Sequence, residues 1–443
     1  MKLIDWFRPG IRVKRWLLLG IAGIASISFG LSFLVTEIYL STIKIILSVL
    51  LIIAGSVFVF LAIKYIASTF FHAISHSGFR ISLDSDKLSN MLYEKRILIK
   101  GPKIVAIGGG TGLSTMLRGL KAYSSNITAI VTVADDGGGS GVLRQDLGML
   151  PPGDIRNCIL ALADTEPIME KLLQYRFEDG VLKGQSFGNL FLAAMDGISA
   201  NFEEAVRKMS DVLAVTGHVL PVTLEDVKLC AELEDGHIIC GESKIGKHNT
   251  FHPGAIKRVF MEPKTVKPLP EALDAIAEAD MIILGPGSLY TSIIPNLIVN
   301  GVADEIKKSS AVKVYVCNVM TQPGETDGYS VYDHIRALEK HSYEGIINYC
   351  IINTAAIPEE LKEHYANDGA HTVKVDHEEL NKNGIKVIQA DFVSIKNNLI
   401  RHDPVKLACA IMDLVAETVL AKDKKRIIDY YYVKDRLRKI IAG

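Results

Sequence analysis

Two uncharged stretches near the N-terminus, residues 16–36 and 45–63, constrain this chain more than any other feature. At 1.5 Å per helical residue, each is long enough to cross a hydrocarbon core of about 30 Å. The short connection 37–44 would make them a helical hairpin. A secretory signal has a shorter apolar region and is not followed by a second span. Basic residues set the orientation: Lys2, Arg8, Arg12, Lys14 and Arg15 precede the first stretch, and Lys64 and Arg80 follow the second. Between the stretches the only charged residues are Lys44 and Glu37. The positive-inside rule then places both termini and the main domain in the cytoplasm, on a two-pass protein of the cytoplasmic membrane. Neither stretch contains an internal acid or base, so the hairpin reads as an anchor and not as a transport path.

The hairpin also accounts for a mean hydropathy of +0.23, high for a wholly soluble chain. A length of 443 residues suggests two or three folded units. The expected divisions are a transmembrane hairpin over 1–64, a polar connector over 65–101 and a cytoplasmic unit over 102–443. The connector carries an amphipathic stretch at 88–98 and a break at Gly101-Pro102. With 49 Lys plus Arg against 50 Asp plus Glu, the surface lacks the cationic excess that nucleic-acid binding needs. Six dispersed cysteines without a CxxC pair read as reduced, mostly buried thiols.

The cytoplasmic part alternates short β-prone runs, at 103–107, 127–134, 279–284, 313–319 and 346–352, with helical patterns. That alternation predicts an α/β fold, a Rossmann-like parallel sheet flanked by helices. Ligands bind such sheets at the C-terminal strand ends. Four of those ends carry glycine-rich or small polar loops: Gly108-Gly109-Gly110-Thr111-Gly112, Asp135-Asp136-Gly137-Gly138-Gly139-Ser140-Gly141, Gly285-Pro286-Gly287-Ser288 and the run 321–328. The first and third suit phosphate, because glycines admit an oxyanion to the backbone and a helix N-terminus offers free N–H groups. Leu113 occupies the sixth position of GxGxxG, and no lysine follows the glycines, so neither a dinucleotide fingerprint nor a Walker loop is present. Two anion cradles on one edge suit a diphosphate or nucleotide-sugar.

Asp135 and Asp136 end a buried strand, where carboxylates accept ribose hydroxyls or hold Mg²⁺. Asp154 begins a helix as its N-cap and is a third candidate metal ligand, with Arg156 or Asn157 nearby. Arg144 could pair with phosphate, but a lone arginine on a helical stretch reads as a solvated face. Gly184-Gln185-Ser186-Phe187-Gly188 matches GxSxG but lacks the buried strand a nucleophile elbow requires. Ser186, Gly188 and Asn189 instead start a helix over 190–195 and present N–H groups or an amide to the ligand. The histidines are scattered without HExxH, so no zinc site is expected. Residues 250–270 read as basic, proline-broken surface.

Together, the blocks 103–112, 132–144, 150–160, 186–193, 284–297 and 315–329 resemble the YvcK-like proteins, or gluconeogenesis factors. These are one branch of the superfamily that contains 2-phospho-L-lactate transferase. The resemblance covers about 102–413 and is most specific at Leu284-Gly285-Pro286-Gly287-Ser288-Leu289-Tyr290-Thr291-Ser292 and Cys317-Asn318-Val319-Met320-Thr321-Gln322. It implies a Rossmann-like fold that binds UDP-sugars, notably UDP-N-acetylglucosamine, and regulates carbon flow toward cell-wall precursors and cell shape. No enzymatic activity is firmly attached to that branch. The transferase branch moves a phospholactyl group from a nucleotide-activated donor with Mg²⁺. Carried onto this chain, the family's ligand contacts fall on Tyr365 in Glu363-His364-Tyr365-Ala366 and on Arg401 in Leu399-Ile400-Arg401-His402, with Asn318 a further candidate contact. Tyrosine can stack on a uracil or sugar, and arginine forks onto a diphosphate. The chain departs from the family at Gly139 and Val142, where the usual residues are serine and arginine, and in its N-terminal membrane hairpin, which the well-known soluble members lack. A protein partner in cell-wall precursor synthesis is expected, and a homo-oligomer is compatible with the resemblance.

Overall fold

The structure, a computed structural model, describes residues 13–35, 42–75, 96–250 and 252–442. Its internal packing divides the chain into two units, Met1–Ile97 and Leu98–Gly443.

In the first unit, helices α1 (Val13–Val35) and α2 (Thr42–Ser75) include apolar segments long enough to cross a membrane, Arg15–Leu34 and Ile45–Tyr65. The helices approach closely because glycines face one another. A Cβ on Gly23 would stand 2.7 Å from the Gly55 carbonyl oxygen, and one on Gly55 would stand 2.6 Å from that of Gly23. Close backbone approach at small residues is how helices pack where no hydrophobic force drives them together. The Ser26 hydroxyl donates across the pair to the Leu51 carbonyl at 2.9 Å, and the Trp16 and Tyr65 rings stack at 4.1 Å. Leu18, Ile24, Phe29, Leu50, Phe60 and Ile63 are exposed on the outer faces.

One expected boundary moves. Residues 65–75, read as polar connector, continue α2 as helix, because Tyr65-Ile66-Ala67 and Phe70-Phe71 contain no breaker. The flanking Lys2, Arg8, Arg12, Glu37 and Arg80, and most of the amphipathic stretch 88–98, lie outside the described residues.

The second unit has twelve strands among its described residues: β1 Ile104–Gly108, β2 Ile127–Val131, β3 His218–Pro221, β4 Lys228–Leu233, β5 Ile238–Cys240, β6 Ile256–Glu262, β7 Met281–Leu284, β8 Val312–Val316, β9 Tyr349–Asn353, β10 Lys386–Ala390, β11 Val393–Lys396 and β12 Leu399–His402. Seven form a parallel sheet in the order β10-β9-β8-β7-β1-β2-β3. The five expected strands are present, and β3 and β10 extend the two edges. β1 and β7 are buried along their whole length, as helices on both faces require. From β1 the chain winds outward through β2 and β3, then returns to β7 on β1's other side and winds out to β10. The topological switch point therefore lies between β1 and β7, where this class of sheet opens a crevice.

Two smaller pieces were not legible as strands. β5-β4-β6 is an antiparallel sheet inserted between β3 and β7, and β11-β12 is an antiparallel ribbon. The stretch 250–270, expected as plain surface, holds β6, whose Ile256, Val259 and Met261 are buried. The expectation of six reduced thiols is also corrected. Cys230 on β4 and Cys240 on β5 are register partners and form a disulfide. Antiparallel pairing puts directly opposed side chains within reach, which spacing alone does not reveal. Cys158, Cys317 and Cys350 are buried free thiols, and Cys409 is partly exposed.

Candidate functional site

At the switch point lies a cleft of about 570 Å³. One wall is the turn from β1 into the helix Gly110–Leu120. Gly110 has φ +68°, a left-handed conformation that favours glycine, so the backbone turns sharply and opens the helix N-terminus toward the cleft. A Cβ on Gly109 would stand 2.5 Å from Asp154 Oδ2, and one on Gly112 would stand 2.5 Å from the Pro286 carbonyl oxygen. The loops after β1 and β7 are thus packed backbone to backbone, and larger residues cannot enter.

The second loop is clamped by one side chain. Asn318 Nδ2 donates to the Gly287 carbonyl at 2.7 Å, while the Gly287 N–H donates to Asn318 Oδ1 at 3.2 Å. Behind it, buried Glu325 accepts from the Tyr290 N–H (3.1 Å), the Thr291 hydroxyl (3.0 Å) and the Gln322 amide (2.7 Å). Burial raises the Glu325 carboxyl to about 7, so it titrates near neutrality. Buried Asn296 ties the two loops, donating to the carbonyls of Gly108 and Ser292.

Carboxylates occupy another part of the lining. Asp135 accepts the Gly137 N–H at 2.8 Å, and its carboxyl is raised chiefly by burial. Asp154 lies under the first glycine loop and is raised to about 6 by burial and by Asp135. Glu242, which follows β5, is raised to about 8 by burial, then by Asp135, Glu325, Asp136 and Asp154. Acids crowded this way favour either a proton or a cation among them.

The lining is completed from the chain's last third. Tyr365, on the helix Glu359–Asn367, packs beside Val319, Ile357 and Ile400, and its hydroxyl accepts the Ile400 N–H at 2.9 Å. The next residue on β12, Arg401, is exposed and is the one lysine or arginine among the described residues lining the cleft. His402 is buried, and desolvation lowers its imidazole to about 4, leaving it neutral at physiological pH.

The proposed site residues therefore divide. Gly109, Gly110, Thr111, Gly112, Asp135, Asp154, Gly287, Ser288, Asn318, Tyr365 and Arg401 line one cleft. Gly108 and Gly285 lie behind it as strand ends. Asp136 turns away and accepts the Ser243 N–H at 2.8 Å. Ser186 caps the helix Phe187–Gly197 by accepting the Asn189 N–H, and Asn189 Oδ1 accepts from buried Arg156, so neither reaches the cleft. Pro152 takes the cap position expected for Asp154, which stands in the first turn. Arg144 is not solvated: it pairs with Asp226 and donates to the carbonyls of Asp135 and Val227. Gly139 abuts Gln185 and Val142 is exposed; neither lines the cleft. Sequence reading missed Glu242 and His402. Glu242 carried no motif, because only the β5-β4-β6 insertion brings it to the sheet edge.

The profile of the 2-phospho-L-lactate transferase CofD family matches residues 104–393. A gluconeogenesis factor of Bacillus subtilis is 52% identical over 317 residues, covering 71% of this chain and 99% of that protein. The chain belongs to the gluconeogenesis-factor branch of the CofD family. A UPF0052-family crystal structure from Bacillus halodurans is 49% identical and covers 70% of this chain and 99% of its own, with a TM-score of 0.67. Another gluconeogenesis-factor relative, from Clostridium acetobutylicum, is 52% identical over 439 residues, 99% of this chain and 97% of its own. A match of that length takes in the residues of both N-terminal apolar helices, whereas the Bacillus subtilis protein is matched over 99% of its own length by 71% of this chain.

Proposed function

We propose that the chain is a UDP-sugar-binding regulatory protein, anchored in the cytoplasmic membrane by α1 and α2, with UDP-N-acetylglucosamine as its ligand. It would control carbon flow toward cell-wall precursors and cell shape through a protein partner. The observation that carries this reading is the composition of one cleft: the two glycine loops expected as anion cradles, beside an aromatic ring, Tyr365, and an exposed guanidinium, Arg401. The cradles fit a diphosphate, the ring fits a uracil or sugar face, and the guanidinium neutralises the phosphates. Apolar outer faces on both helices support membrane insertion, since water would leave that surface unburied. Regulation requires that the ligand favour one of two states that the partner distinguishes.

A second reading is favoured by the acids. Asp135, Asp154 and Glu242 are oxygen donors whose charges act on one another, and hard oxygen donors suit Mg²⁺. Asp136, the remaining expected metal ligand, faces Ser243 instead. When bound, the ion would neutralise phosphate charge, as a transferase acting on a nucleotide-activated phosphate donor needs.

Calorimetric titration of the full chain in detergent with UDP-N-acetylglucosamine, GDP and NAD, with and without Mg²⁺, tests both. The regulatory reading expects selective UDP-sugar binding without turnover, weakened at least tenfold by Arg401→Ala. Preference for GDP with Mg²⁺, or donor consumption, overturns it in favour of the transferase.

A further inference from the structure

Strand β4 pairs with β5 on one side and β6 on the other, so the β4–β5 turn and the segment leading into β6 meet at one end of the small sheet. The turn carries Asp235 and His237, and the segment carries His252. No sequence spacing relates these three residues. We propose that Asp235, His237 and His252 bind a zinc-class divalent cation at a site separate from the nucleotide-sugar cleft, none of the three lining that cleft.

The geometry points inward. Asp235 Oδ2 lies 2.7 Å from His252 Nε2 and 3.2 Å from His237 Nδ1. All three donor atoms fall within 4.8 Å of one another, and the two imidazole rings, tilted by 47°, have centroids 4.0 Å apart. Donor atoms on a tetrahedral zinc, each about 2.0–2.1 Å from the metal, stand roughly 3.3 Å apart, so only a small expansion admits the ion. Two imidazoles and a carboxylate suit borderline divalent metals better than Mg²⁺ or Ca²⁺.

The backbone that presents these groups is held in place. The His237 N–H donates to the other Asp235 oxygen at 3.0 Å, which orients the carboxylate. Leu233 N–H donates to the His237 carbonyl at 2.9 Å, and Glu234 N–H to that of Ala255 at 3.0 Å. The His252 N–H donates to the His248 carbonyl at 2.7 Å, and the buried His248 ring bonds the carbonyls of Ile245 and Gly254. Anchored segments of this kind lower the ordering cost of ligation. Because the three side chains are at least partly exposed, water can complete the coordination shell.

The test is a Co²⁺ titration of the full chain in detergent, followed by visible absorption and by Zn²⁺ competition. One equivalent should bind with the spectrum of nitrogen ligation and be displaced by Zn²⁺. His237→Ala/His252→Ala should lose that equivalent, Asp235→Asn should weaken it at least tenfold, and the cleft variant Asp154→Asn should leave it unchanged. Equal affinity and stoichiometry in the double variant overturn the site. If that variant does not fold, X-ray absorption of Zn²⁺ on the unaltered chain decides: imidazole scattering supports the site, and a shell without it overturns it.

Discussion

The α1–α2 hairpin and the cleft are both built on glycines where two backbones touch, yet they are opposite environments. Across the hairpin, Gly23 and Gly55 bring two helices together, and what surrounds the contact is apolar and turned outward. Across the cleft, Gly112 brings one loop against Pro286 of another, and what surrounds the contact is glycines, hydroxyl residues and carboxylates that line a cavity. The same residue thus serves packing in one place and leaves room for an anion in the other. Glycine supplies only the close approach; the neighbouring side chains decide its use.

The largest effect should come from breaking the cleft contact. Gly112→Val meets the Pro286 carbonyl and should destabilise the second unit by about 1–3 kcal/mol while abolishing UDP-sugar binding, read by thermal unfolding and calorimetry. The parallel change in the hairpin, Gly55→Leu, should splay α1 from α2 without touching ligand affinity. Cross-linking yield between cysteines placed at 26 and 51 should drop sharply; a loss of ligand binding instead would break the separation between the two regions.

Within the cleft, Arg401→Ala should weaken UDP-sugar binding at least tenfold, which corresponds to about 1.4 kcal/mol. Arg401→Lys should recover only part, because an ammonium does not fork onto two phosphate oxygens. Unchanged calorimetric affinity in Arg401→Ala would remove the guanidinium from the site.

Glu242 sharpens the electrostatic side of the comparison. Its folded-state carboxyl is raised to about 8, so the folded protein holds that proton more tightly than the unfolded chain does. Its contribution is therefore favourable at low pH and is lost as pH rises from about 4.5 through about 8. Glu242→Gln should melt several degrees above the unaltered protein at pH 9 and match it near pH 4. A constant gap across that range would mean that charge is not the cause. The smallest effect is expected for Tyr365→Phe, which keeps the ring but removes the acceptor for the Ile400 N–H. It should cost about 1 kcal/mol of stability and little affinity, whereas Tyr365→Ala should lose both.

Sequence periodicity and composition determined a good part of this protein. The apolar runs of the hairpin, five sheet strands and the glycine loops after β1 and β7 were legible because each depends on local chain chemistry: hydrophobic length, β-branched runs and small residues at turns. Tyr365 and Arg401 were reached by resemblance to a family, since no local pattern singles them out. Only the tertiary structure decided which carboxylate of the Asp135-Asp136 pair faces the cleft, that Ser186 caps a helix, that Cys230 meets Cys240, and that Glu242, His402 and the Asp235–His237–His252 cluster are brought to their places. In each case the deciding partner is remote in the chain or supplied by strand register. Backbone hydrogen bonding and burial set those placements, and neither is written in the spacing of residues.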